Sequence, residues 1–210
     1  MTTKIDINNI YPPENEIRTD SSPYDEYYEV LKNTFDLNNI KTFCDVGCST
    51  GHLIYNLKQK NNIVVKGYEY FEYHKSSPFC RAEIRDDIQI YDIRDPFPLN
   101  INKYDIVNCT EVGEHIDPAF ADILIENCKK LSNKYIIFTW SSHGGVNDPN
   151  NDPLHQHLNP LNRTDYMSLM HKHGLVENME LTNLFLRTSL QYRNFYFWWR
   201  ESFIIWEIKQ

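Results

Sequence analysis

The sequence is short of positive charge and has no basic run longer than Lys129-Lys130: 21 Lys and Arg stand against 29 Asp and Glu, for a formal charge of -8. A surface of that sign repels phosphate backbones, so nucleic acid is not expected as a partner. The five cysteines, Cys44, Cys48, Cys80, Cys109 and Cys128, are odd in number and include no C-x-x-C pair. That pattern offers neither a disulfide framework nor a zinc site, and it reads as small buried thiols in a reducing compartment. Long hydrophobic runs are missing too. The longest mainly apolar stretches, such as Tyr135–Trp140, have the length of a strand and are far too short to cross a bilayer. Met1–Ile10 is polar, without the apolar core of a signal peptide, and no internal repeat is present. The expectation is a cytoplasmic protein without membrane contact. What is present suits one globular domain: 210 residues, 41% hydrophobic and 24% charged.

Residues 1–40 read as a polar arm with Pro12, Pro13 and Pro23, then a helix over Tyr24–Asn33 with Tyr27, Tyr28, Leu31 and Phe35 on its apolar side. From Thr42 the character changes, and strand-length apolar segments alternate with helix-length ones. The strand candidates are Thr42–Val46, Ile63–Tyr68, Ile88–Tyr91, Tyr104–Cys109 and Tyr135–Trp140, with Leu175–Leu186 and Phe203–Ile208 as the last two. Helices are expected at His52–Gln59, at Pro118–Leu131 behind an Asp117 cap, and at Thr164–His173 before Gly174. Such alternation predicts an α/β domain over residues 41–210, with a mostly parallel sheet covered on both faces. The polar stretch 141–162 is long for a loop and reads as a functional lid.

The segment Asp45-Val46-Gly47-Cys48-Ser49-Thr50-Gly51 is a strand end, a glycine turn and a helix start. Gly47 and Gly51 permit positive φ and close approach of a ligand to the backbone, and the following helix presents unpaired N–H groups. Twenty-four residues after Asp45, Glu69 ends the second strand, an acid placed to hydrogen-bond both ribose hydroxyls of a nucleoside.

These residues, with Asp92 in Tyr91-Asp92-Ile93 and the fourth strand Tyr104-Asp105-Ile106-Val107-Asn108-Cys109, resemble the class I S-adenosylmethionine-dependent methyltransferases. The resemblance implies a Rossmann-like, doubly wound, seven-stranded sheet, mostly parallel with an antiparallel last strand, and S-adenosyl-L-methionine as cofactor. It places Gly47 and Gly51 by the methionine moiety, Glu69 on the ribose, Asp92 and Ile93 at the adenine, and Cys109 where strand four meets the cofactor, with Asp45 among the cofactor-binding residues. Ser49 departs from the family's middle glycine and creates a formal G-x-S-x-G match to a hydrolase nucleophile elbow. That alternative expects several strands before the serine and leaves Asp45 and Glu69 without a role. A nicotinamide site would need G-x-G-x-x-G, which is not met.

After strand four, Glu111, Glu114 and His115 would share one face if the turn is helical. Two carboxylates and an imidazole suit a divalent cation, magnesium, manganese or zinc. The string resembles the E-x-x-E-H of ubiquinone-pathway and small-RNA 3′-terminal O-methyltransferases, and the further ligand histidine that the RNA enzymes bring from the region after strand five would be His143, His155 or, as first choice, His157. The alternative is that the acids and His115 only fix the loop. His157, and after it His155, are the candidate general bases, and His155-Gln156-His157-Leu158-Asn159 resembles an H-x-N element of methyltransferases thought to act on glycans. The aromatic block Phe195–Trp199, with Tyr192, reads first as packing and second as a sugar or dimer contact. The expected activity is O-methylation of a sugar hydroxyl on a small molecule or glycan. RNA 3′-end or phenol methylation, and nucleotide binding without catalysis, are the alternatives. A homodimer is compatible with the sequence.

Overall fold

A computed structural model describes residues 22–144, 157–192 and 201–208. The N-terminal residues before the first helix, the middle of the 141–162 stretch expected as a lid, with His155, and the aromatic block Phe195–Trp199 lie outside the described residues. The elements are α1 (Ser22–Thr34), β1 (Thr42–Val46), α2 (His52–Asn61), β2 (Val64–Glu69), α3 (Glu72–Ser76), β3 (Ile88–Ile90), β4 (Tyr104–Cys109), α4 (Ala121–Leu131), β5 (Ser132–Phe138), α5 (Arg163–Lys172), β6 (Leu175–Glu177), α6 (Met179–Ser189) and β7 (Ile204–Ile208).

The strands form one sheet in the order β3-β2-β1-β4-β5-β7-β6. β1 to β5 are parallel, and β7 runs antiparallel to both of its neighbours. The chain winds outward from β1 to β3, then crosses over to β4, so the order reverses between β1 and β4. In such sheets the crevice at the carboxyl ends of those two strands is where ligands bind.

Strand side chains alternate between two cores. Phe43, Ile106, Ile137 and Ile205 pack with residues of α1, α2 and α6, while Cys44, Val46, Val107, Ile136 and Trp206 pack with α4 and α5. Burial on both faces explains why the central strands read as continuous apolar runs. All five cysteines are buried and free. Among the described residues no helix is long and apolar enough to cross a membrane.

Local signals act as the sequence implies at two helix ends. The Asp117 carboxylate accepts the Ala119 N–H at 2.9 Å ahead of α4, and Gly174 ends α5 in the left-handed region with φ 73°. The stretch Leu175–Leu186 differs from its reading as a strand. β6 stops at Glu177, and Asn178 then caps α6 by accepting the Leu181 N–H at 2.9 Å. The apolar residues there are compatible with either period, and the Asn cap decides for a helix whose Thr182, Phe185 and Ser189 face inward.

A candidate active site at the switch point

Between β1 and α2 the chain makes a tight turn with three residues at positive φ: Gly47 at 76°, Ser49 at 50° and Gly51 at 79°. The N–H groups of Gly47 and Cys48 donate to the Tyr68 carbonyl at 2.8 and 3.3 Å, which ties the turn to β2. A Cβ on Gly47 would lie 2.4 Å from Val112 Cγ2, so the loop after β4 rests directly on the turn. Gly51 precedes α2 as its N-cap and provides no side-chain cap, so the first N–H groups of the helix are offered to whatever fills the crevice.

Glu69, at the end of β2, is buried, 5% exposed. Its carboxylate accepts the Ser49 N–H at 2.7 Å and the Phe71 N–H at 3.0 Å, and His74 Nδ1 lies 3.3 Å away. Glu69 therefore braces the glycine turn as well as ending β2. A carboxylate has about four acceptor positions, so two backbone donors do not exhaust it. The Asp92 carboxylate is held by Arg94, from its Nε at 2.9 Å, its Nη2 at 2.9 Å and its backbone N–H at 3.0 Å. Ile93 is buried, and its carbonyl accepts from Asn127. The Cys109 thiol is packed in the α4-side core, where burial raises its pKa and Cys128 raises it further, so only its main chain can face the crevice.

Asp45 sits beside the turn and is buried. Burial raises its pKa from 3.8 to about 7, opposed by a hydrogen bond from Asn108 and reinforced by the charge of Glu69. Asn108 Nδ2 donates to Asp45 at 2.7 Å, and the Tyr27 hydroxyl donates to Asn108 Oδ1 at 2.6 Å. Neither Tyr27 nor Asn108 is among the sequence-predicted site residues, and a polar Asn at a buried position of β4 is the one local sign of such a contact.

The turn after β4 is not the α-helical one that would align Glu111 with Glu114 and His115. Glu111 has φ 56°, and only Gly113–His115 form a 3-10 turn. Glu111 faces Thr139, accepting its hydroxyl at 2.8 Å while its own N–H returns to Thr139 Oγ1 at 2.8 Å. Glu114, His115 and His157 come together without it, each placing one ligand atom within 4.8 Å of the others. Glu114 is fully buried, and neither carboxylate oxygen makes a well-formed hydrogen bond. Burial, and then the Glu111 charge, raise its pKa well above the usual carboxylate range. The His157 Nδ1 meets the His143 carbonyl, and its ring lies edge-on to His115 at 4.9 Å. The end of the 141–162 stretch is fastened to this turn, with the Asn159 N–H donating to the Glu114 carbonyl at 2.9 Å and Trp140 Nε1 donating to the Asn159 carbonyl at 2.7 Å.

No protein-family model matches the sequence, and neither does any curated protein. Solved structures do resemble it. The plantazolicin methyltransferase BpumL in complex with SAH aligns with a TM-score of 0.62 at 14% identity, covering 95% of this chain and 91% of that one. The magnesium protoporphyrin IX methyltransferase ChlM from Synechocystis PCC 6803 with bound SAH gives 0.59 at 15% identity, over 90% and 83%. The N-terminal domain of EvdMO1, in the presence of SAH and D-fucose, gives 0.55 at 12% identity, over 77% of each chain. With the strand order and the antiparallel β7, these likenesses show that the chain has the Rossmann-like fold of the class I S-adenosylmethionine-dependent methyltransferases.

Proposed function

We propose that the protein transfers the methyl group of S-adenosylmethionine to a sugar hydroxyl, free, nucleotide-linked or within a glycan. The observation that carries methyl transfer is the Gly47–Gly51 turn braced by Glu69 at the point where the sheet order reverses. In this reading Glu69 takes the ribose hydroxyls and Gly47 and Gly51 line the amino-acid end, whose ammonium the buried Asp45 balances. The adenine lies by Asp92 and Ile93, with the Cys109 main chain beneath the cofactor.

The hydroxyl oxygen attacks the sulfonium methyl carbon as the C–S bond breaks, and S-adenosylhomocysteine leaves as a neutral thioether. The acceptor proton passes to His157. Its Nδ1, facing the His143 carbonyl, carries the ring proton, which leaves the lone pair on Nε2. A sugar acceptor is supported by the polar lid end beside this histidine, and by a neighbour of like fold solved in the presence of D-fucose.

A second use of His157 is favoured by one observation: Glu114, His115 and His157 converge, and Glu114 is buried without satisfied oxygens. One carboxylate and two imidazoles suit zinc or manganese better than magnesium. A bound cation would supply Lewis acidity that lowers the pKa of a sugar hydroxyl. The two uses exclude each other, because an imidazole that ligates a cation is not a base.

Transfer of radiolabelled methyl to nucleotide sugars, oligosaccharides, RNA and catechols, with and without chelator, tests both levels. Labelling of a sugar confirms the acceptor class, while labelling only of RNA or a phenol overturns it. Chelation that abolishes turnover without changing cofactor affinity assigns the cation. Turnover that survives chelation but is lost in His157→Ala assigns the base.

A further inference from the structure

Asp45 and Asn108 are register partners on the adjacent strands β1 and β4, on the sheet face that α1 covers. Tyr27 reaches down from α1, and its hydroxyl donates to Asn108 Oδ1 at 2.6 Å. The Asn108 amide nitrogen then donates to Asp45 at 2.7 Å. With Asp45 ionised the direction of this chain follows: the carboxylate only accepts, so the amide turns its nitrogen inward and its oxygen toward the tyrosine. Tyr27 and Asn108 are each 1% exposed and Asp45 is 5% exposed. Apolar side chains would fill this space at lower free-energy cost, since a buried carboxyl with neutral partners opposes folding. α1 is anchored toward the same end of the sheet. Tyr24 stacks on His52, the first residue of α2, at 5.8 Å, and Asn56 donates to Asp25 at 2.8 Å.

We infer that Tyr27 and Asn108 are positioning residues that hold the Asp45 carboxylate toward the amino-acid end of the cofactor, so that docking of α1 is part of cofactor recognition. This rests on the methyl-transfer reading above. It carries a specific signature: the relay acts on the homocysteine end of the ligand and not on the nucleoside.

Calorimetric titrations with S-adenosylhomocysteine and with 5′-methylthioadenosine, which lacks the ammonium and carboxylate, separate the two ends. Tyr27→Phe keeps the ring and its edge-on contact with Phe185, so the core is preserved. Affinity for S-adenosylhomocysteine is expected to fall about five- to tenfold, the net worth of one hydrogen bond. Affinity for 5′-methylthioadenosine should stay within about twofold of the wild type. Asn108→Ala should show the same split, more strongly. Equal losses for both ligands would mean general loosening, and no loss for either would mean an idle relay; each overturns the inference while leaving methyl transfer standing. A folded wild-type chain that binds neither ligand overturns the proposed function, and the inference with it.

Discussion

Asp45 is buried at a cost that should be measurable. Desolvation lifts its pKa from 3.8 to about 7, with Glu69 adding to the rise and the Asn108 amide opposing it. The folded chain therefore holds this proton more tightly than the unfolded chain does. Between those two pH values the native state binds more protons, so stability falls as pH rises through the window and stays low above it. At about 1.36 kcal/mol per pKa unit, the ionised group disfavours folding by on the order of 4 kcal/mol at about pH 8. Asp45→Asn keeps the size and still accepts from Asn108, but has no charge to bury. The variant should match the wild type in stability near about pH 4, and exceed it by on the order of 4 kcal/mol at about pH 8. Urea unfolding at both pH values reads the difference from the midpoints. S-adenosylhomocysteine affinity should move the other way, falling at least about tenfold with the loss of a charge-assisted contact. A stability difference that does not change with pH, or a variant less stable at the higher pH, would refute the idea that Asp45 is retained for a cationic ligand.

Ser49 occupies the left-handed region at φ 50°, so Ser49→Gly should stabilise the fold by about 1 kcal/mol and keep activity; loss of turnover, or labelling of Ser49 by a fluorophosphonate, would revive the hydrolase reading. Gly113→Ala would place a Cβ 2.5 Å from the buried Trp140 ring. Thermal melts should show a loss of about 1–3 kcal/mol, with turnover falling as the adjoining Glu114 and His115 shift. His157→Ala should abolish turnover while leaving S-adenosylhomocysteine affinity within about twofold, because the turn and Glu69 stand on other elements; calorimetry beside a turnover assay checks this.

The parts of the site that lie close together in sequence were the legible ones. The strand, glycine turn and helix start at Thr42–Leu53 announce themselves by residue type, and Glu69 follows at the end of the next strand because the connection is a single helix. Long-range polar contacts were not legible. Tyr27 and Asn108 are 81 residues apart and meet only once α1 lies on the sheet. Arg94 gave no hint that it would clamp Asp92, since both fit an exposed turn. The alignment of Glu111 with Glu114 depended on a helical φ that Glu111 does not adopt, and its partner Thr139 comes from just past the end of β5. α6 was hidden by residues that suit a buried strand as well as a helix, and its Asn178 cap is the one local mark against the strand.

A nucleoside site at the Glu69-braced turn is the claim on which the rest depends, and calorimetric titration of S-adenosylhomocysteine into the wild type and Glu69→Gln tests it most directly. Glu69→Gln retains an oxygen for one of the two backbone donors, so it should fold with a lowered melting temperature. One ligand per wild-type chain is expected, with affinity at least about tenfold weaker in the variant. A folded wild-type chain that takes up no S-adenosylhomocysteine, or a variant that binds it equally well, would contradict the assignment.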